Sequence, residues 1–306
     1  MKVLVATQKP FAPVAVEGIR EIVEGAGYEF ALLEKYSGEA ELAAAVADAD
    51  ALIVRSDKVT ASVLAAAPKL RVVVRAGAGY DNLDLAACTE RGVVAMNTPG
   101  QNSNAVAELA IAMMIYMSRG QFTPSTGSEI AGKTLGVQAF GNVGRLVARK
   151  AAALGMKVLA VDPFLKPEQI REGGAEPVES VEELYSRSDY VSVHIPATPQ
   201  TVGSIGRELI CSMPKNALLV NTARKEVIDE AGLEEALELR PDLKYITDVA
   251  PGNYDELRGK FGLRVFATPK KMGAQTAEAN VNAGLAAARQ IVAFFKDGDE
   301  KYRLNK

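Results

Sequence analysis

One stretch of thirty residues, Lys133 to Asp162, constrains the fold of this chain more than any other. It reads KTLGVQAFGNVGRLVARKAAALGMKVLAVD. Thr134 to Ala139 and Met156 to Val161 are apolar runs of strand length, and Gly155 separates the second from the residues before it. Residues between the two runs recur at helical spacing; they are Leu146, Val147, Lys150, Ala151 and Leu154. The stretch therefore predicts a strand, a turn, a helix and a second strand.

The turn from Phe140 to Gly144 fits a pyrophosphate site. Free N–H groups at a helix start attract anions, and small residues let the backbone approach them closely. Asp162 follows Gly144 by 18 residues, where a carboxylate accepts from both ribose hydroxyls and repels the 2′-phosphate of NADP. These features predict an NAD site. Ala139 replaces the first glycine of the usual G-x-G-x-x-G pattern, and we expect it to keep a negative φ. The alternative is a plain strand–helix–strand unit, in which the glycines only pack the helix on the sheet.

Length and composition exclude several classes of protein. A chain of 306 residues is long for a single core, so two domains are expected. The net charge of −3 argues against nucleic acid as the main partner. The two cysteines lack metal-ligand spacing and suit a reducing compartment. The N-terminus turns polar too soon for a signal peptide, and the longest apolar run, Ala105 to Met117, contains Glu108. We therefore expect a soluble, cytoplasmic protein without metal or membrane segment.

Strand and helix patterns alternate along nearly the whole chain. Such alternation predicts α/β structure with parallel sheets covered on both faces. We expect two Rossmann-like domains, with residues 99–276 inserted between the two parts of the other domain, 1–98 and 277–306. Polar residues that follow strands are candidates for ligand binding, because ligands sit beyond the carboxyl ends of parallel strands.

Six segments resemble the D-isomer-specific 2-hydroxyacid dehydrogenases. They are RAGAGYDNLD (75–84), NTPGQNSNAVAELA (97–110), AFGNVG (139–144), HIPATPQT (194–201), MPKNALLVNTAR (213–224) and TDV (247–249). Within the family, RSDKVT (55–60) and RAGAGYDN are most similar to the D-3-phosphoglycerate dehydrogenases. The resemblance implies an NAD-binding domain at 99–276, a substrate-binding domain from the two flanking parts, and a homodimer built through the cofactor domain. We expect a short member of the family that lacks the C-terminal regulatory domain of longer ones.

The resemblance also implies a reaction. It is the NAD-dependent oxidation of D-3-phosphoglycerate to 3-phosphohydroxypyruvate, the first step of serine biosynthesis, with hydride passing from C2 to nicotinamide. Arg224 matches the family arginine that holds the substrate carboxylate and polarises its carbonyl. A guanidinium suits that role because it binds a carboxylate through two parallel hydrogen bonds and keeps its proton.

This chain departs from the family at the acid–base group. The usual histidine of a Thr-Pro-His element is replaced by lysine, in Thr268-Pro269-Lys270-Lys271, and its orienting glutamate would fall near Asn253. His194, the only histidine, lies in a segment that lines the cofactor in the family. We expect Lys270 to transfer the proton, because it directly follows the proline, with Lys271 as the alternative. Such a lysine needs a pKa lowered by roughly 3 units, which burial and cationic neighbours can supply.

The remaining site residues are implied by their match to the family. The cofactor-binding residues are Ala78, Phe140, Gly141, Asn142, Val143, Gly144, Asp162, His194, Ile195, Pro196, Thr201, Thr222, Ala223, Asp248, Gly273 and Ala274. The substrate-binding residues are Arg55, Ser56, Lys58, Arg75, Gly77 and Gly79. Among the latter, the cations would hold a phosphate and the glycine N–H groups a carboxylate. A structural ion pair is the alternative for Arg75, and ordinary solvation for Arg55 and Lys58.

Two other functions stay open at this point. One is a hydroxypyruvate or glyoxylate reductase of the same family, in which the phosphate-binding cations would have no role. The other is an NADH-binding sensor that keeps the scaffold without the chemistry. Arg224 with the lysine pair favours an enzyme, and the cations at 55 and 75 favour a phosphorylated 2-hydroxy acid as substrate.

Overall fold

The computed structural model describes all residues, 1–306, and contains twelve strands, twelve α-helices and three short 3-10 helices. The strands are β1 Lys2–Thr7, β2 Glu29–Glu34, β3 Ala51–Val54, β4 Val72–Arg75, β5 Val94–Asn97, β6 Thr134–Gln138, β7 Lys157–Val161, β8 Glu176–Pro177, β9 Tyr190–Val193, β10 Leu218–Asn221, β11 Lys244–Thr247 and β12 Val265–Ala267. The helices are α1 Pro13–Gly25, α2 Glu39–Val46, α3 Ala61–Ala65, α4 Leu85–Glu90, α5 Ser103–Ser118, α6 Asn142–Ala153, α7 Pro167–Glu172, α8 Val181–Ser186, α9 Arg207–Cys211, α10 Glu230–Leu239, α11 Tyr254–Phe261 and α12 Ala277–Asp297. None of these helices is long and apolar enough to cross a membrane.

The chain divides into two compact units. Unit 1 comprises residues 1–102 and 275–306, and unit 2 comprises residues 103–274. These divisions lie a few residues from the boundaries expected after residue 98 and before residue 277. Each unit contains one sheet, and every pair of neighbouring strands is parallel. The predicted fold class, two α/β units with one inserted into the sequence of the other, is confirmed.

Unit 1 is built on a five-stranded sheet in the order β2-β1-β3-β4-β5. Alternate residues of the buried strands face opposite sides of the sheet, so each side has its own apolar core. One core packs the sheet against α2, α3 and α4, and the other packs it against α1 and α12. The last helix thus returns to the sheet with which the chain begins.

Unit 2 is built on a seven-stranded sheet in the order β12-β11-β10-β9-β6-β7-β8. Helices α5 and α6 cover one face, and α8, α9, α10 and α11 cover the other. The strand order reverses beside β6, with β7 on one side and β9 on the other. Doubly wound sheets bind ligands at such a reversal, outside the carboxyl ends of the strands.

Helix α6 begins and packs somewhat differently from the expectation. It starts at Asn142, inside the predicted turn, and its buried residues are Gly144, Val147, Ala148 and Ala151. Leu154 follows the helix and is 43% exposed, so it lies outside the sheet-facing side. The short elements α7, β8, α9 and α11 are each too brief to show a clear periodicity in the sequence.

Ala139 shows that one expectation about the turn is wrong. Its φ is +73°, in the left-handed region that glycine adopts most easily, although we expected a negative value. The turn therefore keeps the backbone shape of the glycine pattern while carrying a Cβ. A residue other than glycine in this region costs about 1–2 kcal/mol.

Replacing Ala139 by glycine should stabilise the protein. The variant removes the strained Cβ, and the gain of about 1 kcal/mol should appear as a higher urea midpoint of unfolding. The matched control is Ala152→Gly in the exposed part of α6. It should lower stability by about 1 kcal/mol, because glycine is a poor helix former. Equal destabilisation by both changes would show that Ala139 is unstrained.

Candidate active site

The candidate residues of unit 2 lie along the carboxyl edge of its sheet. Because all seven strands are parallel, the loops that follow them emerge at this one edge. In strand order the loops contain Lys271 after β12, Asp248 after β11, Thr222 to Arg224 after β10, His194 to Pro196 after β9, Phe140 to Gly144 after β6, and Asp162 after β7. Neighbouring strands are about 4.8 Å apart, so residues distant in sequence form one row.

The start of α6 is open to an anion. No side chain caps it, and its first N–H groups have no partner within the helix. Gly144 is required by the protein itself, because a Cβ there would lie 2.2 Å from the Ala139 carbonyl oxygen. At Gly141, in contrast, a Cβ would meet no atom within 4 Å. Packing within the protein therefore explains the glycine at position 144. It does not explain Gly141, beside which there is free space.

Asp162 is tied to the same turn. Its Oδ2 accepts from the N–H of Phe140 at 2.8 Å, and its Oδ1 accepts from the N–H of Phe164 at 2.9 Å. Each carboxylate oxygen can accept a second hydrogen bond, so these contacts orient the group and leave acceptor capacity. Phe140 is fully buried, and its contact with Asp162 is made by its backbone N–H.

The loop after β9 contains the single histidine. His194 Nε2 lies 2.9 Å from Ser192 Oγ, and burial lowers the pKa of the imidazole to about 4. The group is therefore neutral at pH 7. Farther along, Thr201 Oγ1 accepts from the N–H of Thr198 at 2.8 Å and donates to the Pro196 carbonyl. Thr201 thus holds the shape of this loop.

Arg224 is positioned by the residues just before it. Asn221 is fully buried; its Nδ2 donates to the Arg224 carbonyl at 2.9 Å, and its Oδ1 accepts from the Ala223 N–H at 3.0 Å. Arg224 Nη1 donates to the Ala223 carbonyl oxygen at 2.9 Å. None of the ion pairs in the structure involves Arg224, so no carboxylate of the chain neutralises it.

The side chains of the two lysines after β12, Lys270 and Lys271, lie in different surroundings. Lys271 Nζ donates to the Ala223 carbonyl oxygen at 3.4 Å, the same oxygen that Arg224 contacts. The amine of Lys270 makes no such hydrogen bond in the structure. The backbone carbonyl of Lys270 accepts from Thr268 Oγ1 at 2.7 Å. Lys271, and not Lys270, therefore shares a site with Arg224.

Asp248 and Thr222 each present a buried oxygen without a partner in the protein. Asp248 is 1% exposed; its Oδ2 accepts from the N–H groups of Met272 and Gly273, and its Oδ1 has no partner. Burial raises the pKa of Asp248, while the two N–H donors and the charge of Lys271 oppose the shift. Thr222 Oγ1 is buried and unpartnered as well. Buried polar atoms of this kind indicate a missing hydrogen-bonding ligand.

Unit 1 has its own row of polar residues at the carboxyl edge of its sheet. Ser56 and Lys58 are exposed there. Arg55 Nη1 donates to the carbonyls of Lys9 and Pro10, both at 2.9 Å. Arg55 Nη2 donates to Asn280 Oδ1 at 2.6 Å. Most donors of Arg55 are thus used within unit 1, which indicates a structural clamp and weakens its case as a phosphate ligand.

Arg75 and the glycine-rich segment follow β4. Arg75 Nε donates to the Arg55 carbonyl at 3.0 Å, and a Cβ at Gly77 would lie 1.7 Å from Arg75 Nη1. The guanidinium therefore depends on the bare Cα of Gly77. The Ala78 carbonyl accepts from Asn97 Nδ2 at 2.6 Å, so the strand end of β5 holds the segment that leads to Gly79. Ala78 is the one cofactor candidate that belongs to unit 1.

Unit 2 has the features that a dinucleotide requires. The uncapped start of α6 with its open space suits a pyrophosphate, and Asp162 beside it suits a ribose. At the other end of the row, the unpartnered oxygens of Thr222 and Asp248 suit polar hydrogens of a ring substituent. The residues present therefore fit NAD.

Comparison with known proteins decides the family. Residues 105–269 match the profile described as "D-isomer specific 2-hydroxyacid dehydrogenase, NAD binding domain". The chain belongs to the D-isomer specific 2-hydroxyacid dehydrogenase family. NAD is the cofactor that this domain of the family binds, which confirms the predicted cofactor.

Several relatives are similar over most of this chain. A D-3-phosphoglycerate dehydrogenase of Methanocaldococcus jannaschii is 40% identical over 82% of this chain and 51% of the relative. A hydroxypyruvate reductase of Thermotoga maritima is 38% identical over 82% of this chain and 86% of the relative. The crystal structure of NAD⁺-bound 3-phosphoglycerate dehydrogenase from Entamoeba histolytica is 47% identical, covers 100% of this chain and 99% of that one, and has a TM-score of 0.88. The chain spans about half the length of the first curated relatives that it matches.

Some residues that shape the site are missing from the sequence prediction. Asp57 is buried and accepts from the N–H groups of Gln8 and Arg55 and from the Tyr36 hydroxyl. Asn221 performs the comparable task beside Arg224. Both residues follow or end apolar strands. This position in the sequence could have identified them as candidates, because ligands bind at the carboxyl ends of parallel strands. Asn253, near the place of the family glutamate, has a buried Oδ1 without a partner.

The neutral His194 should make stability depend on pH. The unfolded state binds a proton near pH 6.5 and the folded state only near pH 4, so stability falls as the pH drops between these values. The loss between pH 7 and pH 5 should be about 2 kcal/mol at most. Urea unfolding of the wild type and His194→Gln at both pH values measures it. The variant should lose less stability than the wild type, and equal losses would contradict the lowered pKa of His194.

Proposed function

We propose that this dehydrogenase oxidises D-3-phosphoglycerate at C2 to 3-phosphohydroxypyruvate with NAD, the reaction that opens serine biosynthesis. The observation that carries the proposal is the convergence of Arg224 and Lys271 on the Ala223 carbonyl. A permanent cation and a titratable amine thus lie together at the reaction end of the sheet edge. A sensor without chemistry would need neither.

Arg224 and Lys271 have different tasks in this proposal. Arg224 binds the substrate carboxylate and polarises the C2 oxygen, for which its unpaired guanidinium is suited. Lys271, as the neutral amine, removes the proton from the C2 hydroxyl during oxidation. In the reverse direction its ammonium returns that proton to the carbonyl oxygen. NAD, when bound, supplies the acceptor for the hydride.

The acid–base assignment changes from Lys270 to Lys271 for a geometric reason. The sequence favoured Lys270 because it directly follows Pro269. In the structure the chain turns after this residue, and only the next side chain reaches back towards β10. Arg224 contacts the same oxygen as Lys271, so the two side chains lie together at this point of the sheet edge. His194 is a poor alternative, because its lowered pKa makes it a weak base.

The phosphorylated substrate is supported by the cations of unit 1. Arg75 is the principal candidate for the phosphate. Lys58, in the loop after the neighbouring strand β3, is a second candidate, and Gly77 and Gly79 would offer N–H groups. Arg55 contributes by holding the neighbouring loop. The relatives named D-3-phosphoglycerate dehydrogenase agree with this substrate.

A second candidate function is hydroxypyruvate reduction. It is favoured by the Thermotoga maritima relative of that name, of which the chain covers 86%. The use of most Arg55 donors inside unit 1 also reduces the number of cations that are available for a phosphate. Substrate comparison separates the two functions.

We also propose a homodimer through unit 2. The outer side of α5 and its neighbours exposes apolar residues, among them Ile115, Phe122 and Leu154 at 36%, 70% and 43%. They line two adjoining apolar depressions of unit 2. Contiguous apolar surface of this kind is typical of an association site. A monomeric mass in sedimentation equilibrium would refute the dimer.

Replacement of the acid–base lysine should reduce turnover strongly. Lys271→Met should lower kcat by about 10²–10⁴-fold, the usual contribution of general acid–base catalysis. NADH binding, followed by its fluorescence, should persist. In the oxidative direction the wild-type rate should rise with pH as the amine loses its proton, and this rise should vanish in the variant.

Lys270→Met is the matched control, since it changes the adjacent lysine. It should retain most of the activity. Loss of turnover in Lys270→Met alone would return the role to that residue. Full activity in both single variants and in the double variant would exclude the lysine pair.

Removal of Arg75 should discriminate between substrates. Arg75→Ala should raise KM for 3-phosphoglycerate by about tenfold or more, because a charge-assisted contact is lost, and should change D-glycerate oxidation little. Initial rates with each substrate, with NAD and with NADP, measure this. Arg91→Ala, an exposed cation after α4, is the control. Equal effects on both substrates would indicate a structural role, and a wild-type preference for hydroxypyruvate would favour the second function.

A further inference from the structure

The segment that carries Lys271 is held from both sides. On one side, Thr268 Oγ1 donates to the Lys270 carbonyl at 2.7 Å. On the other, Asp248 Oδ2 accepts from the N–H groups of Met272 at 3.0 Å and Gly273 at 2.7 Å. These two residues directly follow Lys271. The backbone on either side of the lysine is therefore fixed, although its side chain is exposed.

Asp248 can hold this segment only because the segment comes unusually close. Gly273 is buried, and a Cβ there would lie 3.1 Å from Asp248 Oδ2 and 3.1 Å from Val106 Cγ2. Any larger residue would push the segment away from the carboxylate. Asp248 itself cannot shift, since it is 1% exposed and directly follows β11. The carboxylate thus holds the backbone next to the lysine at the end of β11.

Orientation through the backbone suits a lysine better than direct contact does. A carboxylate placed on the amine would stabilise the ammonium and hinder its use as a base. The hydrogen bonds of Asp248 go instead to two neutral N–H groups, and these oppose the rise in its pKa more than the charge of Lys271 does. The backbone of the lysine segment is thereby held through the two residues that follow Lys271. Its amine then reaches the Ala223 carbonyl, 3.4 Å away.

We propose, on the basis of the function proposed above, that Asp248 is the positioning residue of the acid–base lysine. It acts on Lys271 through the N–H groups of Met272 and Gly273. This arrangement takes the place of the glutamate that orients histidine in the family pattern and that would fall near Asn253 here. Asp248 Oδ1, which has no partner in the protein, remains available to the cofactor.

A double-mutant cycle tests the proposal, because coupled residues give non-additive effects. Asp248→Ala should lower kcat at saturating NAD and substrate by about tenfold or more, through loss of two charge-assisted hydrogen bonds. Asp248→Asn should lose less, since its amide oxygen can still accept both N–H groups. When Lys271→Met is already present, Asp248→Ala should reduce kcat no further. Hydrogen exchange at Met272 and Gly273 should be faster in Asp248→Ala.

Matched controls separate this role from folding and from cofactor binding. Asp189 accepts a comparable bond from the Thr134 N–H at 2.8 Å, at the amino edge of the sheet. Asp189→Ala should leave kcat unchanged. NADH affinity of each Asp248 variant, measured by fluorescence, reports the contribution of Oδ1 separately. If Asp248→Ala does not fold, Asp248→Asn serves in the same cycle.

Two results would overturn the inference in different ways. If the Asp248 and Lys271 effects on kcat multiply, Asp248 acts on the cofactor or on the fold; the inference is then wrong while the proposed function stands. If Lys271→Met keeps full activity, the proposed acid–base role is wrong and the inference falls with it.

Discussion

Parallel pairing of all strands in the larger sheet is the constraint on which the site depends. It sends every loop that follows a strand to one edge, so the strand order, and not the sequence order, sets the layout of the chemistry. Asp162 and the start of α6 lie towards one end of that edge, and Arg224 and Lys271 lie towards the other. A dinucleotide is an elongated ligand with its phosphates near the middle. The reversal of strand order beside β6 places the turn from Phe140 to Gly144 where those phosphates would lie.

The sequence predicts the fold well wherever periodicity is long. The strand, turn and helix from 133 to 162 and the alternation that builds two parallel sheets follow directly from apolar patterns. The short elements α7, α9 and α11 do not, because five to eight residues leave too few repeats. Ala139 shows a different limit. Its positive φ is imposed by the turn between β6 and α6, and residue preference alone argues against it.

The sequence predicts which residues form the candidate site much better than it predicts where their side chains point. Motif resemblance finds Arg224, Asp162 and the lysine pair, since these are matters of identity and spacing. The choice of Lys271 depends on how an irregular segment is hydrogen-bonded to Asp248. The structural use of Arg55 depends on carbonyl groups forty-five or more residues away in sequence. No periodic pattern contains such information, because it arises from tertiary contacts between loops.

The place of α12 has a consequence for how the chain is completed during synthesis. This helix supplies Ala283, Ala287 and Ile291 to one of the two cores of unit 1 and packs there with α1. All residues of unit 2 are synthesised before α12. Unit 2 therefore has its full sequence while that core of unit 1 still lacks the residues of α12. Domains fold as units when their residues are available. The inserted unit, although it is second in sequence, is therefore the first that can finish folding. The sheet of unit 1 must wait, with one apolar face only partly covered by α1, for a helix that is translated after the whole of unit 2.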